Sequence, residues 1–432
     1  MTAKTRTTDS DAPDTAAPDA AGITLRRVAE DDLRGFLEPV VRAFGSDFNE
    51  NEFGAERPLM EAERFVSAFD GERRVGGAGS FAMRMRVPGT SEPVRVSGIT
   101  AVGVQPDSTR RGILRQMMGW LIEDATARGE SMAILLASEA AIYQRFGFGS
   151  ATQSCFIETE QARLVFRDPL PPRDDARFRI VDRDEAATIF PAIYDAANAD
   201  VPGALERVDL RWRNLVLSDE EWARRGRGPT NLVVLEMAGE PRGYAIYRSG
   251  GEWSPRGPMG ATNVTEVVAL DPEAQGRLWR WLATRDLSVT LAVFRGPVPH
   301  PLQMLVQEPR RLGVTVTDGL WLRMLDLPTA LAARRYAHEG TLVLDVADPM
   351  IEGNAGRWQL TVRADGSASV VRTSAAPDLA LGVATLASTY LGTFRFTDLT
   401  TVGLVHELRP GAALAATTLF TPSRTPYSNT FF

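Results

Sequence analysis

The segment Pro106-Asp107-Ser108-Thr109-Arg110-Arg111-Gly112-Ile113-Leu114-Arg115 joins an apolar stretch, Ala101-Val102-Gly103-Val104-Gln105, to residues with helical spacing. Ile113, Met117, Trp120 and Leu121 share one apolar face, and the pattern stops at Arg128-Gly129, a basic last turn with glycine as C-cap. A strand end, a short basic loop with a glycine and a helix start form a phosphate-binding arrangement. The unpaired amides of the helix N-terminus point at the anion, and Gly112 permits close backbone approach. Arg110 and Arg111 would add charge-assisted hydrogen bonds to a diphosphate. Arg-Arg-Gly by itself also suits a solvated basic turn, so the surrounding elements must decide.

Those elements recur. Ile23–Val28 reads as a strand running into Asp31-Asp32-Leu33, a helix start with an acidic first turn, and Phe178–Val181 followed by Asp182 and Asp184-Glu185 repeats it. Val66–Arg73 and Val234–Glu240 both read as strand, glycine turn, strand. Ala101–Pro106 and Val267–Pro272 are apolar strands ending in proline, each followed by a helical segment. The order implies two units of one fold, residues 23–170 and 175–305, with the proline-rich 168–172 as linker. The second copy carries Glu273-Ala274-Gln275 where the first has its arginines. An acidic residue would repel a diphosphate, so this copy is expected to be non-catalytic. From 312 to 432 strands at Trp321–Leu325, Gly340–Val346, Trp358–Val362 and Ser367–Arg372 mix with helical segments at Pro328–Tyr336, Leu379–Tyr390 and Thr397–Leu404, an α+β third unit. Residues 1–22 are rich in Thr, Asp, Ala and Pro and read as a disordered tail.

Composition narrows the chemistry. A chain of 432 residues suits two to four domains at ~100–200 residues each. Its single lysine, Lys4, lies in the tail, which excludes a Schiff-base lysine, a Walker-A lysine and a kinase strand lysine. A single cysteine, Cys155, excludes a disulfide framework and multi-cysteine zinc sites. The three histidines (His300, His338, His406) have no i,i+4 spacing, and no metal is expected. A net charge of -7 argues against a nucleic-acid partner. No apolar run reaches the ~18 residues of a membrane span, and low cysteine use without a leader fits the cytoplasm.

Val102-Gly103-Val104, then Arg110–Arg115, then Ala137-Ser138-Glu139-Ala140-Ala141-Ile142-Tyr143-Gln144-Arg145-Phe146-Gly147-Phe148 resemble the acetyl-CoA signature of the GNAT N-acetyltransferases. Within that superfamily the chain resembles the Eis (enhanced intracellular survival) family over nearly its whole length, including Asp318–Arg323 and the aromatic C-terminus. Thr109 and Leu114 depart from the general superfamily pattern, but Arg-Arg-Gly-x-Leu-Arg is the form this family shows. The resemblance implies two tandem acetyltransferase domains, the first catalytic, and a sterol-carrier-like third domain.

It also implies roles. Val102, Gly103 and Val104 would offer backbone to the pantetheine arm of acetyl-CoA, the Val104 amide would polarise the thioester carbonyl, and Gly103 would admit the thioester or mark a bulge. Arg110, Arg111, Gly112, Ile113, Leu114 and Arg115 would hold the diphosphate, with Ser138 and Glu139 near the cofactor; Ser138 is also placed to cap the helix carrying Tyr143. Tyr143 is the implied general acid, since a phenol near pKa ~10 can protonate a departing thiolate whose reference pKa is ~8.5. Its alternative is a core tyrosine bonded to backbone. The implied base is the α-carboxylate of Phe432, whose alternative is an ordinary packed terminus. Phe44, Asp47 and Phe48 resemble the acceptor-pocket wall, and with Glu50 and Glu52 would favour polyamines; a solvated acidic loop is the other reading of the two glutamates. The function implied is acetyl transfer to primary amines such as aminoglycosides, by direct attack in a ternary complex within a homohexamer. Acetylation of protein lysines, or carriage of an apolar ligand by the third domain, are its rivals.

Overall fold

The computed structural model describes residues 22–224 and 226–432; the tail read at 1–21 and Arg225 lie outside the described residues. The chain opens with strands β1 (Ile23–Arg27), β2 (Phe65–Asp70), β3 (Arg73–Met85), β4 (Val94–Val104), β5 (Met132–Leu136) and β6 (Gly149–Ser150). Between them stand helices α1 (Leu33–Ala43), α2 (Glu50–Glu56), α3 (Ile113–Ala127) and α4 (Ala140–Gln144). Next are β7 (Gln153–Glu160), β8 (Ala176–Val181), α5 (Arg183–Ala197), β9 (Thr230–Met237), β10 (Glu240–Ser249) and the small ribbon β11 (Trp253–Ser254) and β12 (Gly257–Pro258). Then come β13 (Gly260–Ala269), β14 (Ser288–Gly296), β15 (Thr315–Asp318) and β16 (Leu320–Met324).

Two seven-stranded sheets result, ordered β1-β2-β3-β4-β5-β16-β6 and β15-β7-β14-β13-β10-β9-β8. Each is covered by helices on both faces, and the alternation within a strand shows why. Adjacent residues Phe65 and Val66 of β2 are both fully buried, yet Phe65 meets Phe36 of α1 on one face and Val66 joins the α3 core on the other. Leu33, Phe36, Leu37 and Val40 form the buried stripe of α1; Ile113, Met117, Leu121 and Ala125 do so for α3. In the second sheet α5 and the helix Pro272–Leu282 repeat this plan, each capped by an aspartate, Asp182 and Asp271.

The boundaries read from sequence do not coincide with the sheets. β7, placed on sequence in the first unit, pairs antiparallel with β14 of the second sheet, from Glu160↔Thr290 to Ile157↔Val293. β15 pairs with β7 in that same sheet, and β16, placed on sequence in the third unit, pairs with β5 of the first sheet, from Leu320↔Leu136 to Met324↔Met132. All five residues of β16 are buried. Such a run announces a central strand but carries no information about which strand is beside it.

The remaining strands, β17 (Gly340–Ala347), β18 (Gly356–Val362), β19 (Ala368–Arg372), β20 (Leu379–Gly382) and β21 (Val405–Glu407), form a sheet ordered β19-β18-β17-β20-β21. The stretch 379–390 read as helix begins instead as β20, parallel to β17, and turns helical only at Val383. A further helix, Ala412–Phe420, was not evident in the sequence, because its exposed face carries Leu414 rather than charges. The third unit shares one apolar core with the first sheet. The helix Val383–Tyr390 lies so close on β6 that a Cβ on Gly149 would sit 1.9 Å from the Ala384 carbonyl oxygen. No helix among the described residues is long and apolar enough to cross a membrane.

Arg323 of β16 reaches from this joint to Asp348, with Nη2 2.7 Å from both carboxylate oxygens and both side chains wholly buried. Arg323→Met leaves that carboxylate without its cation and is expected to cost about 3–5 kcal/mol, read as a lower urea midpoint.

Candidate active site

β4 and β5 run parallel and pair only at Ser97↔Ala133 and Gly98↔Ile134. Beyond Gly98 they diverge, so the edge of β4 from Ile99 onward has no strand beside it on that side. Ala101 adopts φ 51°, and the β3–β4 register slips between Gly77 and Gly79, which bends the strand at this point. The bulge therefore falls at Ala101 and not at Gly103. A Cβ on Gly103 would lie 3.3 Å from Val40 and Ala43 of α1, so its smallness serves the seating of that helix. Val102 and Val104 are half-buried on the α3 side.

After β4 the chain makes one 3-10 turn and enters α3 through left-handed φ values at Arg110 (62°) and Gly112 (78°). Gly112 is the N-cap and supplies no side-chain oxygen, so the first-turn amides have no side-chain partner. Ile113 is buried and Leu114 half-buried, while Arg110 and Arg115 are exposed. The two loop arginines differ. Arg111 Nη1 stands 2.6 Å from Asp70, whereas Arg110 has no carboxylate partner among the described residues. A diphosphate at this loop would meet Arg110 and the helix amides directly and would compete with Asp70 for Arg111.

Tyr143 lies on α4, 7% exposed, with its ring edge-on to Phe148 at 6.1 Å. Its hydroxyl donates to no protein acceptor among the described residues and opens on a cavity of about 730 Å³. Burial, and then the charge of Glu139, push the phenol above its ordinary value, so it is a proton donor at neutral pH. Ser138 does not cap this helix. The extended N-cap position belongs to Glu139, one residue later, and no side chain caps the turn. Ser138 lines the cavity instead, and Glu139 is exposed outside it.

Phe44, Asp47 and Phe48 line the same cavity, as do Val102 and Phe432. Asn49 caps α2 by accepting from the Asn51 and Glu52 amides, which turns Glu52 and, one turn on, Glu56 toward the cavity. Glu50 points elsewhere, 2.6 Å from Arg34. The acidic residues that the first domain turns to the cavity are thus Asp47, Glu52 and Glu56 rather than the set containing Glu50. Glu56 was missed on sequence, although its i,i+4 relation to Glu52 was a usable signal. Burial, and then the charge of Glu52, push its carboxyl up to about 7, with Arg211 acting the other way. Phe156, Phe294, Arg295 and Asp318 complete the wall from the second sheet; their distance along the chain hid them.

The last residue enters from the second sheet's side. The Phe432 ring packs near Gly98, where a Cβ would lie 3.2 Å from the ring. Arg211, buried to 4% exposure, donates from Nη1 to the Phe431 carbonyl at 2.9 Å. Tyr143 and the final residue of the chain therefore border one cavity, which is bounded on its far side by the divergent edge of β4.

Residues 24–151 match the family model of an acetyltransferase (GNAT) domain, 203–324 match a second GNAT domain model, and 327–429 match a sterol carrier protein domain. The protein is an acyltransferase built from two GNAT domains and a sterol-carrier-like α+β domain. It is 36% identical over 407 residues to an N-acetyltransferase of Streptomyces avermitilis, covering 93% of this chain and 98% of that protein. It is 32% identical over 387 residues to N-acetyltransferase Eis of Mycobacterium tuberculosis, covering 87% and 91%. The crystal structure of Eis1 from Mycobacterium abscessus superposes with a TM-score of 0.80 at 31% identity, covering 95% of this chain and all of that one. The chain belongs to the Eis family of GNAT N-acetyltransferases.

The Glu56 carboxyl carries a measurable signature. Folded, it holds its proton up to about pH 7; unfolded, it releases it near 4.5. Its contribution is complete below the unfolded value and lost as pH rises through about 7. The stability of Glu56→Gln relative to the parent should therefore rise between pH 5 and pH 8, as measured by urea denaturation at each pH.

Proposed function

We propose that this protein transfers the acetyl group of acetyl-CoA to primary amines, with polyamines of the aminoglycoside type as the favoured acceptors, by direct attack in a ternary complex. The observation that carries the reading is the convergence of the Tyr143 hydroxyl and the chain's final residue on one acidic cavity beside the divergent edge of β4. The co-substrate supplies the activated acyl thioester. Arg110, Arg111 and the first-turn amides of α3 are the diphosphate seat, with Ile113, Leu114 and Arg115 shaping it. The edge Val102–Val104 carries the pantetheine arm, and the Val104 amide polarises the carbonyl.

Tyr143, which burial keeps protonated at neutral pH, donates its proton to the departing sulfur. The Phe432 carboxylate takes the proton of the attacking ammonium. Asp47 and Glu52 attract the remaining ammonium groups of a polyamine, Glu56 accepts a hydrogen bond from them and ionises as they approach, and Phe44 and Phe48 offer apolar faces to its rings. Direct attack is supported by the placement of the alternative nucleophiles. Cys155 is buried with its thiol donated to the Pro297 carbonyl, and burial pushes the His300 imidazole down to about 3; neither borders this cavity. The homohexamer is part of the same reading, supported by the exposed apolar residues Val402, Leu404, Leu408 and Leu414 of the third domain.

Tyr143→Phe should keep its affinity for acetyl-CoA while kcat falls by roughly 10²-fold or more, measured by thiol release with an amine panel that includes lysine peptides. Unchanged turnover would remove Tyr143 from the mechanism, and faster turnover on the peptides would replace the acceptor class. Extending the chain by a few residues beyond Phe432 should abolish turnover with an unchanged thermal unfolding profile.

A further inference from the structure

The second GNAT domain repeats the divergence of the first. β13 pairs with β14 in parallel only as far as Val264↔Val293. Past that point Thr265–Ala269 and Arg295–Gly296 face each other across a cavity of about 370 Å³. The chain's own C-terminal segment, from Ser423 to Asn429, forms one wall of it, beside the end of α5 and the turn at Pro297–Pro301. The Tyr427 amide donates to the Pro202 carbonyl at 2.9 Å, and its hydroxyl donates to the Arg295 carbonyl. Asn429 Nδ2 donates to the Thr265 carbonyl at 3.3 Å and to the Glu266 carboxylate at 2.8 Å.

At the head of this segment stands a buried charge network. Arg207 places Nη1 and Nη2 2.9 and 2.7 Å from the two oxygens of Glu266 and donates from Nε to the Thr430 hydroxyl at 2.9 Å. Tyr244 donates to the same carboxylate, and the Tyr194 ring lies 4.0 Å beneath the guanidinium. Arg207, Glu266 and Thr430 are all buried. A desolvated ion pair of this kind adds little net stability over apolar residues of the same volume, and its best-attested effect is to fix one arrangement among several. The helix start beside this cleft is closed to anions as well: Asp271 caps it, and Glu273 pairs with Arg173 and Arg277.

We propose that the second GNAT domain uses its divergent cleft as the seat of the C-terminal segment, and that Arg207 and Glu266 are positioning residues, acting through Asn429 and Thr430, for the terminal carboxylate in the first domain's cavity. The catalytic part of this inference rests on the reading of Phe432 as base; the anchoring part does not. From Asn429 to the carboxylate only Thr430 and Phe431 intervene, so a shift at the network is transmitted to Phe432 with little chain to absorb it.

The test uses the full chain carrying Asn429→Ala with Thr430→Val, which leaves the Arg207–Glu266 pair whole. Two rates are measured: release of Phe432 by a carboxypeptidase selective for aromatic ends, followed by mass spectrometry, and steady-state turnover. The expected result is release faster by about ten-fold or more, kcat lower by a similar factor, an acetyl-CoA KM within about two-fold, and an unchanged melting temperature. Thr430→Ser, which keeps the acceptor oxygen, should behave as the parent in both. Faster release with unchanged kcat sustains the anchor and overturns the role of Phe432 as base. Unchanged release overturns the anchor whatever happens to kcat.

Discussion

A parallel strand pair that bonds briefly and then parts leaves backbone groups that need partners, and this single constraint organises the molecule. It occurs in both GNAT domains, at β4–β5 and at β13–β14. The loop and helix start after each diverging strand decide its use. After β4 come Arg110 and Gly112 in left-handed conformation and an N-terminus without a side-chain cap. After β13 comes Asp271, whose side chain accepts from the Ala274 amide, and the amides there are already served. One divergence faces a helix start open to an anion, while the other faces the protein's own chain.

Charge is separated across the first domain in keeping with that geometry. The acidic wall of Asp47, Glu52 and Glu56 lines the cavity that Tyr143 borders, whose buried phenol keeps its proton, while the cationic loop at Arg110–Arg115 is not part of that lining. Ionisation of Glu56 is resisted by burial first and then by Glu52, and eased by Arg211. Arg211 in turn donates to the Phe431 carbonyl, so the acidic wall and the C-terminal segment share one buried cation. Electrostatics in the cavity and the placement of the chain end are thus coupled through a single side chain.

The third domain joins this arrangement by packing and connection. Phe420 meets Tyr336 and Phe396 edge-on at 5.4 and 5.0 Å, and its interior merges with the core on one face of the first sheet. From Phe420 the chain leaves this domain, crosses the cleft of the second and ends at the cavity of the first. The exchange of β7 and β16 between the sequence-defined units ties the same three bodies together through hydrogen bonds.

Features dictated by near neighbours along the chain were legible in the order of residues alone. These were the apolar stripe of α3, the helix starts at Leu33, after Asp182 and after Pro272, the glycine turns of both hairpins, the basic loop after β4 and the repeat of elements. Tyr143 and Phe432 were legible through their motif and chain position, and the structure brings both to one cavity. Packing in three dimensions settled that Ser138 faces the cavity instead of capping α4, that Glu50 turns to Arg34 while Glu56 turns inward, and that β16 lies beside β5. The difference is one of range. Periodicity, caps and turns are satisfied within a few residues, whereas strand partners and the desolvation that shifts a carboxyl depend on segments meeting from more than a hundred residues apart.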